Sequence, residues 1–255
     1  MTRFTDSPVL VFAATFAGLW LTTRLGALLL RKLVPLQEKI RDDFGPILAA
    51  TLTLLGLIIG FSYTMATAHY DLRNTHEASE ANAIRTEYLR AGLLPADDAA
   101  KLRALLRDYL DQRIAFHKAR TEADIPPVTA RTAQLQAALW SVVESAAAAR
   151  QTSVVALAVS GLNDVFDAEG HTRAAWWNRV PPAAWYLMAM IAICCNLLIG
   201  YGARDARSER MLHAILPLLV SISFFLIADI DSPRGGIIRL SPQNLEVLAA
   251  LKDLG

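Results

Sequence analysis

The sequence predicts an all-α membrane protein with four transmembrane helices plus an extramembrane helical bundle between spans two and three. Three observations predict it. Four apolar runs reach the length a bilayer demands. Hydrophobic residues make up 54% of the chain and charged residues 19%, whereas an average soluble domain is less apolar and about 25% charged. A charged, Ala-rich stretch without β-hairpin signals separates the second apolar run from the third.

A helix needs about 20 mostly apolar residues to cross the hydrocarbon core. The first run, Pro8–Leu30, is broken only by Arg24. It is about twice the length of a signal-peptide core and no clear small-residue cleavage site follows, so it reads as a retained span. The second, Pro46–Ala68, carries no charge, and the third is Ala183–Tyr201. The fourth is Met211–Ala228, where Pro217 removes a backbone donor and predicts a kink. Trp176, Trp177, Trp185 and Tyr186 gather around Pro181-Pro182. Amphipathic rings favour the headgroup layer, so this cluster predicts a membrane surface.

The chain thus divides into transmembrane helices 1 and 2 over 1–69, an extramembrane helical domain over 70–180, transmembrane helices 3 and 4 over 181–229, and a C-terminal extramembrane segment over 230–255. Four spans put both termini and the helical domain on one side. The short loops carry Arg31, Lys32, Lys39 and Arg41, and Arg204, Arg207 and Arg210, and the positive-inside rule puts such loops in the cytoplasm.

Nothing between Met65 and Asn82 breaks a helix, so the second span predicts a continuation into Asp71–Arg90, with Leu72, Ile84, Tyr88 and Leu89 as anchors. Gly92-Leu93-Leu94-Pro95 interrupts it, and Asp97-Asp98 suits a new helix N-terminus. Leu102, Leu105, Leu106, Tyr109, Leu110 and Ile114 then recur at amphipathic helical spacing. Ile125-Pro126-Pro127 is expected to end that segment. A long Ala-rich helix, bent or interrupted, is expected from Val128 to Ala168, with Gly170 at C′.

The formal net charge of +1 gives no field to recruit nucleic acid or an acidic substrate. No phosphate loop, zinc-spaced Cys/His set, nucleophile elbow or dinucleotide fingerprint occurs, so no cofactor or metal site is expected and an enzyme is the least supported class. Glu80, Asn82, Arg85, Asn163, Asp164 and Asp167 are expected as polar contacts between long helices, and they supply no nucleophile, base and oxyanion donor together. Cys194 and Cys195 are expected to pack as two small buried apolar groups.

The second span holds the candidate functional residues. Gly56 and Gly60 form a GxxxG pair, and with Thr53 and Thr64 they make a small-residue stripe suited to close helix packing within or between subunits. The functional reading is a pore-lining helix. Thr53, Leu57 and Phe61, spaced by four, would face an axis as successive rings, and apolar rings can gate by dewetting. Arg24 either snorkels to the loop-side surface or faces an anion path. Asn196 and His213 are expected to hydrogen-bond between helices. Asp229, Asp231 and Arg234 follow the fourth span as an ion-pair site, with Arg73, Arg85 or Arg173 as partners, beside a Pro-Gly-Gly turn, or as a cation site or gate latch. Two carboxylates on Asp-x-Asp spacing are weak evidence for calcium, which takes six to eight oxygens.

Gly60-Phe61, followed by small and apolar residues to His69-Tyr70-Asp71, resembles the pore helix of bestrophins. The wider pattern resembles the bestrophin-like domain family of bacteria: Tyr70-Asp71-Leu72-Arg73, Glu80-Ala81-Asn82-Ala83-Ile84, Tyr88-Leu89-Arg90, Leu93-Leu94-Pro95, Leu162-Asn163-Asp164, and Asp229-Ile230-Asp231-Ser232-Pro233-Arg234-Gly235-Gly236. Bestrophins are pentameric anion channels lined by the second span. The resemblance implies Thr53, Leu57 and Phe61 at a neck, and a multi-pass protein of the bacterial inner membrane. It also favours the helical domain on the cytoplasmic side, against the loop charges. Two features depart from bestrophins: only Asp229 and Asp231 stand where those proteins carry a longer acidic run, and the neck holds one aromatic residue. The leading expectation is a bestrophin-like homo-oligomeric channel or pore for small ions, anions foremost, lined by the second span. Its partners would be the lipid bilayer, further copies of itself and small ions, without nucleic acid. The alternative is a non-conducting membrane scaffold or sensor that binds a protein partner through its helical domain.

Overall fold

The computed structural model describes residues 4–30, 38–202 and 212–252, and every regular element among them is helical. In chain order the α-helices are α1 (Pro8–Leu25), α2 (Glu38–Ala91), α3 (Ala96–Lys118), α4 (Ile125–Ala149), α5 (Ser153–Trp177), α6 (Pro182–Gly202), α7 (Leu212–Asp231) and α8 (Gln243–Lys252). A π-helical turn, Gly26–Leu30, completes the first apolar run. The helices divide between two compact units: Thr2–Ala68 with Arg179–Ile238, and His69–Asn178 with Arg239–Gly255.

The first unit holds the apolar helices. Four helical stretches are long and apolar enough to cross a membrane, within Pro8–Leu28, Phe44–Ala91, Ser153–Gly202 and His213–Asp231, and the chain is a multi-pass integral membrane protein. α1 lies against both α6 and α7. Phe12 of α1 meets Phe225 of α7 edge-on, with ring centroids 6.4 Å apart. The approach of the first run to α6 is closer, and glycine permits it. A Cβ on Gly26 would collide with the Leu197 carbonyl, and one on Gly200 with the Thr23 carbonyl. Small residues let membrane helices approach in this way. Beside that crossing, Thr23 donates to Asn196 Oδ1 at 3.2 Å, and Asn196 donates to the Ala192 carbonyl at 2.8 Å. The hydrogen bond expected of Asn196 is therefore interhelical. Arg24 lies over the Trp20 ring at 4.8 Å. α7 carries Pro217 inside one continuous helix. Cys195 is buried but Cys194 is exposed, so only one thiol packs in the interior. Lys39 and Arg41 fall in the first turn of α2, and the other loop bases lie outside the described residues.

In the second unit the C-terminal part of α2 packs with α3, α4, α5 and α8. Ile84, Leu102, Leu106, Tyr109, Leu110, Leu139, Leu162 and Leu245 share its hydrophobic core. α3 starts after Pro95 with Asp97 and Asp98 in its first turn, as the sequence predicts, since acids there complement the helix dipole.

Several expectations are corrected here. Ile125-Pro126-Pro127 does not end a helix; α3 stops at Lys118, and the prolines occupy the first turn of α4. Proline fits there because its missing N–H has no intrahelical partner at that position. The Ala-rich run is interrupted, one of the two forms expected of it, because Thr152 caps α5 by accepting a hydrogen bond from the Val155 amide at 3.3 Å. Gly170 is not a C′ residue, since α5 continues through it to Trp177. The Trp176 ring is not open to its surroundings. It is buried against Phe116 and His117, with centroids 5.3 and 5.5 Å away. Trp177 and Tyr186 are exposed. Leu72 and Leu89, expected as anchors, are exposed too.

Charge occupies one buried stripe of α2. Arg73, Glu77, Glu80, Ile84, Glu87 and Ala91 recur at alternating steps of four and three, and all six are buried. Glu77 takes the Leu245 amide at 2.9 Å and Asn244 Nδ2 at 2.7 Å. Glu80 pairs with Arg113, which also reaches Glu169 at 3.6 Å. Of the polar contacts expected, Glu80 lies in this interior and Asp164 pairs with Arg90, whereas Asn82, Arg85, Asn163 and Asp167 are exposed.

Candidate functional site

The membrane-spanning part of α2 is the least covered of the four candidate spans. Its own chain buries 6% of its most apolar window, against 22%, 28% and 50% for the other three. Leu55, Ser62 and Ala66 form the one buried strip, at helical spacing. The opposite strip carries Thr53, Gly56, Leu57, Gly60, Phe61 and Thr64, and all six are exposed. Phe61 is 62% exposed and Leu57 52%. The hydroxyls on this face are satisfied within the helix: Thr53 donates to the Ala49 carbonyl and Thr64 to the Gly60 carbonyl, each at 2.9 Å. Such back-bonding leaves a hydroxyl oxygen free to accept while removing the cost of an orphan donor. Beyond the adjoining turns of α2 itself, no atom of the described residues lies within 4 Å of where a Cβ on Gly56 or Gly60 would stand. Gly26 and Gly200, which carry no recognisable sequence motif, make close backbone approaches between α6 and the first apolar run.

At the end of α7 the carboxylates hold backbone. Asp229 accepts the Ile237 amide at 2.6 Å and the Ile238 amide at 2.8 Å. Asp231 accepts the Val180 amide at 2.9 Å. A side chain at Gly236 would collide with the Asp229 carbonyl, so this glycine allows the turn to fold back on the helix end. Asp6 and Arg179 form an ion pair in the same unit. Arg234 lies in the turn that follows α7. Both aspartates are buried, and these amides engage three of their four carboxylate oxygens. Carboxylates committed to amides in this way brace a turn.

A profile of the bestrophin-like domain matches residues 9–245. The chain belongs to the bestrophin-like family. No curated protein matches the sequence. Crystal structures of a bacterial bestrophin homologue from Klebsiella pneumoniae share the fold of this bestrophin-like chain. A mutant of that homologue is 14% identical, with a TM-score of 0.62 over 95% of this chain and 96% of that one. A structure solved by zinc anomalous phasing is 16% identical, with a TM-score of 0.57 over 94% and 95%. The two folds therefore agree end to end while nearly all side chains differ. In the bestrophin-like chain, function has to be argued from its own exposed face on α2.

Proposed function

We propose that this chain is one subunit of a homo-oligomeric membrane channel for small ions, anions foremost, with α2 turned to a central axis. Thr53, Leu57 and Phe61 line that axis, and Gly56 and Gly60 admit a helix of the neighbouring copy. The observation that supports this reading is the face of α2 itself. Of the four spans, it is the one its own chain leaves most open, and its open strip combines small, hydroxyl and apolar residues. Family membership and the fold shared with the Klebsiella homologue support it further. A pentamer is the assembly that the bestrophin resemblance implies.

The helical unit stands outside the bilayer in this reading. Its interior encloses Arg73, Glu77, Glu80, Glu87 and Arg113. Ionisable groups at that density are costly within acyl chains. The Asp229 and Asp231 turn, with Arg234 in it, then serves as a brace or gate latch where α7 leaves the membrane.

Thiol accessibility tests the lining. With Cys194 and Cys195 replaced, Phe61→Cys in liposomes should react with a water-soluble thiol reagent and lose ion flux on modification. Leu219→Cys, on the exposed side of α7, should stay unmodified in lipid. Reaction at position 219 with none at 61 would reject α2 as the lining helix.

A further inference from the structure

Glu87 lies on the buried stripe of α2, fully enclosed. Neither of its carboxyl oxygens has a hydrogen-bond partner. Glu77 and Glu80 are as deeply buried in the same stripe, yet both have donors. An ionised carboxylate sealed away without donors is costly, so such a group tends to keep its proton.

The surroundings are shaped around this side chain. Gly161 of α5 faces it, and a Cβ there would collide with Glu87 Oε2 and with Arg90 Nη1. The missing side chain at position 161 leaves the space that the ends of Glu87 and Arg90 occupy. Ala158, Leu162 and Val165 flank Gly161 and are buried. The charges acting on Glu87 are Arg90, on its own helix, and Asp164, across the contact on α5. Arg90 directs its guanidinium to Asp164 Oδ2 at 3.4 Å and to the Leu157 carbonyl at 3.5 Å. It thereby bridges α2 to α5 without bonding to Glu87.

We propose that Glu87 is a proton-operated latch on the contact between α2 and α5. With the proton on, the neutral carboxyl fits beneath Gly161 and the helices close over it. With the proton off, the charge draws water or Arg90 into the contact, and α5 loosens. Burial, the dominant influence, and Asp164 raise the carboxyl from its ordinary 4.5 to about 8, while Arg90 opposes them. A folded-state value above the unfolded one means that stability is full at low pH, falls as pH rises through that interval, and is level above it. The inference holds whether or not the chain conducts.

Hydrogen exchange of the intact protein in detergent tests it, read over α5 and corrected for the intrinsic pH dependence of exchange. Between about pH 6 and about pH 9, α5 in the parent should lose protection by about tenfold or more relative to Glu87→Gln, which cannot ionise. Parallel profiles for the two proteins would overturn the latch, including the case in which a neighbouring copy supplies a cation to Glu87. Asp164→Asn gives a second reading at an exposed position. Freed from Asp164, Arg90 can turn to Glu87, and the midpoint should move to lower pH. An unmoved midpoint would count against the latch.

Discussion

Arg113 closes on Glu80 inside the helical unit with both side chains sealed from solvent, and Glu169 stands 3.6 Å from the same guanidinium. Burial opposes ionisation of Glu80, but the Arg113 charge and contacts from His117 outweigh it and hold the carboxyl well below the ordinary 4.5. Removing one partner leaves a buried charge uncompensated. Arg113→Met should therefore cost about 3–5 kcal/mol in denaturant unfolding. A Glu80→Met, Arg113→Met double variant should regain most of that loss. A single variant as stable as the parent would remove this pair from the account.

The same pair sets an acid limit. Glu80's folded-state value is depressed, so its contribution is present above 4.5 and is lost as pH falls below that. Unfolding measured from neutral to acid pH should show a loss below about pH 4.5 that the double variant lacks. Equal acid sensitivity in both proteins would assign the loss to other groups.

Glu77 receives the Leu245 amide and Asn244 Nδ2. It thus serves the N-terminus of α8 from another helix, where orphan amides need an acceptor. Glu77→Ala should weaken α8 docking by about 1–3 kcal/mol, the cost of leaving buried donors unmet. Proteolysis or hydrogen exchange across 243–252 would report it. Unchanged protection there would show that Leu245 and its neighbours hold α8 alone.

Two pairs of glycines should behave differently. Gly200→Leu places bulk against the Thr23 carbonyl, inside one chain. It should abolish folded protein or lower its melting temperature sharply. A Cβ at Gly60 meets no other helix among the described residues, so with Gly60→Leu the subunit should fold while the oligomer weakens. Size and thermal stability in detergent, measured together, separate the cases. A Gly60→Leu protein with full oligomer size would remove this glycine from the interface.

Much of this fold was legible because apolar length is a direct physical demand of the bilayer. The absence of a breaker between Met65 and Asn82 likewise foretold the long α2. The misses have local causes. Thr152 caps α5 within an Ala-rich run whose composition is helical on both sides, and Gly170 lies inside α5 although glycine is common at C′. Apolar periodicity does not mark the buried stripe from Arg73 to Ala91, because Glu77, Glu80 and Glu87 occupy core positions in it. Their alternating spacing was the available signal. At the candidate site, Thr53, Leu57 and Phe61 could be placed on one helix face from sequence. The crossing at Gly26 and Gly200 could not, since isolated glycines in two distant spans do not declare that they meet.

Chloride flux through liposomes carrying the parent or Phe61→Ala tests the central claim most directly. Phe61 is largely exposed within its chain, so the substitution should change subunit stability by less than about 1 kcal/mol, well short of the 3–5 kcal/mol of a buried phenylalanine. The account predicts that the oligomer survives and that chloride flux rises, or loses its gating, because the collar at position 61 is wider and wetter. An intact oligomer that passes no anion in either form would contradict the channel and leave a membrane scaffold in its place.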